Sequence, residues 1–211
     1  MKLTNLVNWN LYAILAICFF SIVSNFMQIN LLNDYFLDSL YSYDEFILLS
    51  DKNDIRVGII SLLYSILLFL SIILIGRWLY VSAKNNHLYE VKNLKFKPGW
   101  AIGWYFIPFA NLIMPYRSMK ETYKASFKRD DWESISVPYD IPIWWITWLI
   151  TNILFNVSSR IYFSAINNLS YENLKFVLYI DISGDIFLIV NAIFLIRIVR
   201  VISFNQRDLI A

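Results

Sequence analysis

Long apolar stretches separated by shorter polar ones form the dominant pattern of this chain. Four stretches are long enough to cross a bilayer as helices, because the hydrocarbon core is about 30 Å thick and a helix rises about 1.5 Å per residue. They run over residues 9–31, 57–81, 141–163 and 174–202. The pattern predicts an all-α integral membrane protein, with residues 1–211 forming a single transmembrane domain. The first stretch is expected to be a span and not a cleavable signal, because it is long and no small-residue cleavage site follows it.

A fifth apolar segment, residues 98–116, differs from the four spans. It reads PGWAIGWYFIPFANLIMPY. Pro108 and Pro115 each remove a backbone donor and disfavour helix in the preceding residue. Basic residues flank the segment on both sides, so a straight crossing would strand one basic flank outside. We therefore expect a proline-broken re-entrant or in-plane element between the second and third spans. A short plug that binds no ligand is the plainer alternative.

Three further residues of this segment suggest how it would be accommodated. Asn111, between the two prolines, could satisfy backbone groups that the break leaves free. Gly99 and Gly103, four residues apart, would leave a flat strip on which another helix could pack closely.

The distribution of Lys and Arg predicts the orientation. Fourteen of the 18 basic residues lie before the first span, at the end of the second span or between it and the third, or at the end of the fourth and after it. That side is expected to be cytoplasmic, with both termini on it. The loop over residues 30–55 is acidic and is expected outside.

Residues 116–132 predict an amphipathic surface helix with Lys120, Lys124 and Lys128 along one edge, acting as a topology anchor or as a docking site for a cytoplasmic partner.

Composition agrees with a membrane protein and narrows the remaining classes. Only 16% of residues are charged, against about 25% in an ordinary soluble domain. The net charge of +2 and the lack of a basic tail give no basis for nucleic-acid binding. The single cysteine, Cys18, cannot form an internal disulfide and is expected to pack as a small apolar residue.

The fifth segment is also the part of the chain that resembles a known family. It carries Pro98-Gly99-Trp100, Gly103-Trp104, Pro108, Asn111-Leu112 and Pro115, and it is followed by Trp144-Trp145 and Trp148. The pattern P-G-W-x-x-G-W-[WYF]-x-x-P-x-x-N-L-x-x-P with a later W-W-x-x-W resembles the bacterial family called domain of unknown function 4328. Gly76-Arg77-Trp78 and Asn85-Asn86 resemble that family's approach to the core. The resemblance covers residues 76–152, with the first and fourth spans outside it. It implies a multi-pass fold in a bacterial cytoplasmic membrane and implies no activity.

Polar residues recur at helical spacing within the predicted spans and form the candidate site. Charges at such depth usually face the protein interior or a cavity. The candidates for a polar centre in the outer half are Asn25, Gln28, Asn152, Asn156, Arg160, Asp181, Asp185 and Asn191, with Ser21, Ser24, Ser61, Tyr64, Ser65 and Ser159 on the same stripes. We expect Arg160 to pair with Asp181, because both lie about ten residues from the link between spans three and four. The plainer alternative is that these groups only bond helix to helix.

The common routes to catalysis find little support. The only histidine, His87, would have to reach a membrane serine to form a dyad. One histidine and one cysteine are too few to supply a zinc site, and neither GxxxxGK[ST] nor GxGxxG occurs. Two aspartates four apart on one helix beside an arginine do not resemble a pair sharing a proton. We therefore expect no enzyme, no cofactor and no metal.

Together these observations favour a non-enzymatic membrane module. It would bind a ligand or lipid, or a membrane-protein partner or a second copy of itself, at the polar centre and the fifth segment. A small transporter or channel with an outward polar cavity is the alternative.

Overall fold

The computed structural model describes residues 2–165 and 170–207, and every regular element among them is helical. The α-helices are α1 (Lys2–Phe36), α2 (Tyr43–Leu88), α3 (Trp100–Gly103), α4 (Met114–Ala125), α5 (Asp140–Ala165) and α6 (Tyr171–Asn205). Three short 3-10 turns lie at Trp104–Phe106, Ala110–Leu112 and Trp132–Ser134. The predicted all-α class is confirmed for this part of the chain.

Four of these helices, α1, α2, α5 and α6, are long and apolar enough to cross a membrane. Each contains one of the four stretches predicted from the sequence. Helix α2 is the most exposed of them: no residue of its most apolar 18-residue window is buried in the described structure. Its Ile, Leu and Phe side chains therefore face outward, as they would toward lipid.

The helices extend well beyond the apolar stretches. Helix α1 continues to Phe36 and α2 begins at Tyr43, so most of the acidic region expected as a loop over residues 30–55 is helical. A capping box explains the early start of α2. The Ser42 backbone N–H and hydroxyl donate to the Glu45 carboxylate at 2.9 and 2.8 Å, and the Glu45 N–H returns to the Ser42 hydroxyl. This reciprocal bonding satisfies the first free donors of the helix.

The described parts of the chain form two compact units. Unit 1 is drawn from Met1–Tyr12, Leu68–Ile146 and Val190–Ala211, and unit 2 from Ala13–Leu67 and Thr147–Ile189. The helical parts of unit 2 that the structure describes are segments of the four long helices, with an apolar cluster at Ile29, Leu32, Leu178 and Ile182. Unit 1 also contains the whole region between α2 and α5.

Hydrogen bonds of buried side-chain amides connect the helices of unit 1. The Gln206 amide nitrogen donates to the Ser82 carbonyl at 2.9 Å and to the Asn86 side-chain oxygen at 2.6 Å, and its oxygen accepts from Asn85 at 3.2 Å. Asn86 in turn donates to the Thr122 carbonyl of α4 at 3.1 Å. Because every one of these amides is buried and bonded, the network fixes the end of α2, α4 and the end of α6 relative to one another.

The segment over residues 98–116 contains only short helical pieces, as its prolines predict. Helix α3 and two 3-10 turns replace a continuous helix, and Pro115 lies in the first turn of α4, where a missing N–H costs nothing. The Trp145 indole donates to the Leu112 carbonyl at 3.0 Å and so satisfies a carbonyl of the broken backbone. The Asn111 side chain, which was expected to do this, makes no hydrogen bond to the described residues. Gly103 does not offer a flat strip either, because the Trp100 ring covers it 3.0 Å from where a Cβ would lie.

Phe109 lies in a strained turn of this segment. Its backbone has φ 62° and ψ −41°, and the Ala110 N–H donates to the Pro108 carbonyl at 2.8 Å across it. This is the positive-φ γ-turn, which side chains with a Cβ rarely adopt. The Phe109 side chain is 86% exposed, so no packing in the described structure offsets the strain.

We expect Phe109→Gly to stabilise the protein relative to Phe109→Ala. Both variants remove the exposed ring, but only glycine adopts this φ without strain, which is of the order of 1–3 kcal/mol. Thermal unfolding in detergent measures the difference between the two. Equal transition temperatures for the two variants would show that the turn stores no strain.

Candidate functional site

Asp185 is the centre of a polar cluster inside unit 2. It lies on α6 with only 2% of its surface exposed. The Tyr64 hydroxyl of α2 donates to its Oδ1 at 2.9 Å, and the Cys18 thiol of α1 lies 3.9 Å from that hydroxyl as a weak donor. The Ser21 hydroxyl, also on α1, faces the same carboxylate. Three long helices thus contribute to one carboxylate.

The second oxygen of the Asp185 carboxylate lacks the hydrogen bond that the first one accepts. Oδ2 of Asp185 is buried and has no hydrogen-bond partner among the described residues. A buried acceptor left unpaired costs about 1–3 kcal/mol, and more when it is charged. The cluster is therefore only partly satisfied by the protein.

The predicted pairing of Arg160 with Asp181 is wrong. The Arg160 side chain is exposed, and the Ser158 hydroxyl of α5 faces Asp181 instead. The reason is rotation about the helix axis. Ser158 and Arg160 are two residues apart and so about 200° apart around α5. If Ser158 faces α6, Arg160 must face away from it, whatever its depth.

The remaining predicted residues do not join this cluster. Asn152 and Asn156 are exposed and donate to carbonyls of their own helix, those of Trp148 and Asn152, at 2.8 and 2.7 Å. Asn191 belongs to unit 1, where it donates to the Trp144 carbonyl at 2.7 Å. Asn25 and Gln28 are half-buried, and no hydrogen bond links either to Asp185 in the part of the chain that the structure describes. Of the eight candidates, Asp185 accepts a hydrogen bond from a neighbouring helix of unit 2, and Asp181 faces a hydroxyl of one.

Two polar contacts of unit 2 were not expected from the sequence. Arg56, just before the predicted second span, lies within α2 and donates to both the hydroxyl and the carbonyl of Ser24 at 3.1 Å. Lys175 and Tyr171 both donate to the Asn33 side chain, at 3.1 and 2.6 Å. Extending α1, α2 and α6 past their apolar stretches would have placed Asn33, Arg56 and Tyr171 on helices and made the contacts predictable.

Gly184 allows α5 and α6 to approach closely beside Asp185. A Cβ at this position would lie 2.5 Å from the Phe155 ring, which also contacts the Tyr64 ring edge to face. Phe155 therefore covers both the glycine and the tyrosine that bonds Asp185. A larger residue at 184 would displace the ring that shields the cluster.

A second polar site, in unit 1, is an open cleft of about 420 Å³. It is lined by Lys95, Phe96, Arg117, Lys120, Glu121, Lys124, Trp132 and Glu133. Two of the three lysines of the predicted surface helix, Lys120 and Lys124, line this cleft. The helix itself is shorter than predicted, because α4 ends at Ala125. Lys128 lies beyond it with φ 57°, and its ammonium group rests over the Tyr89 ring at 3.8 Å.

The described structure defines the class of the protein: it is all-helical, with four helices of membrane-spanning length and hydrogen bonds between polar groups of different helices. A family model described as domain of unknown function (DUF4328) matches residues 48–203. The chain therefore belongs to that family, as its proline, glycine and tryptophan pattern indicated. No curated protein and no solved structure matches it.

The family match is wider than the motif from which the resemblance was drawn. It includes most of α6, with Asp181 and Asp185, which were expected to lie outside it. Helix α1 lies before the match, so Cys18 and Ser21 come from a part of the chain that the family model does not cover.

We expect Tyr64→Phe to lower thermal stability, because it removes the donor to a buried carboxylate at a cost of about 1–3 kcal/mol. Tyr80→Phe, on the same helix but exposed, is the matched control and should be neutral. In an Asp185→Leu background the cost of Tyr64→Phe should largely disappear. An unchanged cost in that background would show that the two side chains are not coupled.

Proposed function

We propose that this protein is a non-enzymatic, multi-pass protein of the bacterial cytoplasmic membrane that binds an anionic ligand or lipid on its cytoplasmic side. Helices α1, α2, α5 and α6 would be the spans, with both termini in the cytoplasm. The outward-facing apolar side chains of α2 support insertion, because so long an exposed apolar surface is unfavourable in water. The asymmetry of Lys and Arg supports the orientation.

The segment over residues 98–116 is proposed to enter the membrane from the cytoplasmic side and to return to it. Its most exposed side chains are apolar: Phe106, Phe109, Leu112 and Ile113. Basic residues stand on both flanks. An element with an apolar tip and two basic ends is stable when the tip is in hydrocarbon and both ends are at the headgroups.

The observation that carries the binding function is the cleft beside α4, because it is open and carries four basic side chains. The acids within the spans favour a structural role over catalysis. Asp185 accepts from Tyr64, whereas Asp181 faces Ser158, so the two carboxylates have different neighbours and share no proton donor among the residues that the structure describes. Purification in mild detergent followed by native mass spectrometry would identify bound lipid, a membrane-protein partner or a second copy.

A small transporter or channel is the second candidate function. The observation that favours it is Oδ2 of Asp185, a buried carboxylate oxygen without a described partner, which a translocated proton or cation could occupy.

Flux into proteoliposomes separates the two functions. For a binding module we expect no proton or monovalent-cation flux above that of empty liposomes, and no difference between the natural protein and Asp185→Asn. Flux that depends on the protein and is lost in Asp185→Asn would establish transport instead.

Cysteine labelling tests the topology. In a Cys18→Ser background, which keeps a donor near Tyr64, cysteines at Asn5, Lys97 and Asp130 should resist a membrane-impermeant maleimide in intact spheroplasts. A cysteine at Asp44 should react. All four should react after permeabilisation. Labelling of only one of positions 97 and 130 from outside would mean that the 98–116 segment crosses the membrane completely.

A further inference from the structure

The cleft of unit 1 is built by one helix and two loops. Arg117, Lys120 and Lys124 follow one another at i, i+3 and i+7 along α4 and so lie on one side of it. Lys95 and Phe96 form the facing wall, and Trp132 and Glu133 close the end. A volume of about 420 Å³ falls within the range of small-molecule sites.

Glu121 holds this cleft in shape. Its two carboxylate oxygens accept the backbone N–H groups of Lys95 and Phe96 at 2.9 and 3.0 Å. The carboxylate thus ties the facing loop to α4 and is nearly buried in doing so. On the other side, the Trp132 indole donates to the Lys92 carbonyl at 2.8 Å, which joins the two loops.

The cations of the cleft outnumber its acids. Lys124 donates to the Glu133 carbonyl at 2.8 Å. The side chains of Lys95, Arg117 and Lys120 have neither an ion pair nor a hydrogen bond to any residue that the structure describes. Three basic side chains around an open cavity favour an anion with several charged oxygens. Phosphate fits this better than a carboxylate, since its oxygens can meet a guanidinium fork and separate ammonium groups at once.

The residues next to the cleft indicate whether the phosphate belongs to a soluble anion or to a lipid. Ile113 and Leu112, both exposed and apolar, directly precede α4, and Arg117 follows Ile113 by about one helical turn, roughly 6 Å. If the 98–116 segment enters the membrane, as proposed above, these apolar side chains lie in hydrocarbon and the cations lie at the level of the lipid phosphates. A soluble phosphate has no acyl chain that could contact the apolar side chains of Leu112 and Ile113.

We propose that the cleft formed by Lys95, Arg117, Lys120 and Trp132 is a binding site for the phosphate headgroup of an anionic phospholipid. The proposal rests on the membrane insertion proposed above. Phosphatidylglycerol, a monoanionic phosphodiester, is the probe. The full-length protein is delipidated in detergent and titrated with it, and bound lipid is counted by native mass spectrometry, with zwitterionic phosphatidylcholine as the comparison lipid.

We expect the natural protein to bind one phosphatidylglycerol in preference to phosphatidylcholine. Arg117→Gln with Lys120→Gln should weaken that binding about tenfold or more, because each cation contributes to headgroup attraction. The matched control, Lys2→Gln with Lys84→Gln, makes the same charge change at exposed lysines outside the cleft and should bind like the natural protein. Should the first double variant fail to fold, Lys95→Gln repeats the test on an exposed loop side chain.

Three outcomes would overturn the proposal. The first is equal binding of both lipids. The second is equal loss in the cleft and control variants, which would mean a diffuse charge effect. The third is displacement of phosphatidylglycerol by inorganic phosphate at concentrations similar to those at which phosphatidylglycerol itself binds. That result would make this a site for soluble phosphate. Extraction of membranes with alkaline carbonate is run on the same protein. Release of the protein would refute the membrane function and the lipid site together, whereas retention without selective lipid binding refutes the lipid site alone.

Discussion

Backbone N–H and C=O groups that are removed from water must be hydrogen bonded within the protein, and several features of this chain follow from that requirement. The four long helices meet it through their own ladders. The ends of α2 are closed locally, by the Ser42–Glu45 box at one end and, at the other, by Glu90 in the left-handed conformation with a Val91 N–H to Asn86 carbonyl bond. The broken segment over residues 98–116 cannot use a ladder, and it recruits the Trp145 indole and a strained turn at Phe109 instead.

The same requirement explains how tryptophan is used here. Trp144 and Trp145 could have been an aromatic belt at the membrane interface, but both are buried within unit 1. Trp145 donates to the Leu112 carbonyl, and the carbonyl of Trp144 accepts from Asn191. Trp145 therefore supports a backbone that prolines have interrupted, whereas the Trp144 carbonyl links α5 to α6.

The sequence was informative about elements and less so about their partners. Apolar length was enough to find α1, α2, α5 and α6, and the prolines were enough to break the fifth segment. Helical spacing also brought Ser21, Tyr64 and Asp185 onto candidate stripes. It failed for Asn152 and Asn156, whose amides bond their own helix, since a stripe shows only that residues share a face. It failed for Arg160 because a match in depth says nothing about rotation around the helix.

The cleft could be predicted only in part, for a related reason. The lysines of α4 stand out in the sequence as one edge of an amphipathic helix. What turns that edge into one wall of a cleft is Glu121, which accepts from the backbone of Lys95 and Phe96, residues some 25 positions earlier in the chain. A carboxylate that accepts backbone N–H groups leaves no periodic signal, so neither the loop nor its contribution to the cleft is visible without the fold.

The anchoring of α4 distinguishes this cleft from a loose basic patch. The Thr122 carbonyl accepts from Asn86, the Ser126 hydroxyl accepts from Asn205, and Glu121 holds the facing loop. The helix is thus fixed on its buried side by bonded polar groups, while Arg117 and Lys120 project from the other side. Binding an anion then orders only the ends of those side chains, and the backbone needs no rearrangement. Because the conformational entropy lost on binding is correspondingly small, a few cations held in this way can select one headgroup, whereas the same number on a flexible tail would attract any negative surface.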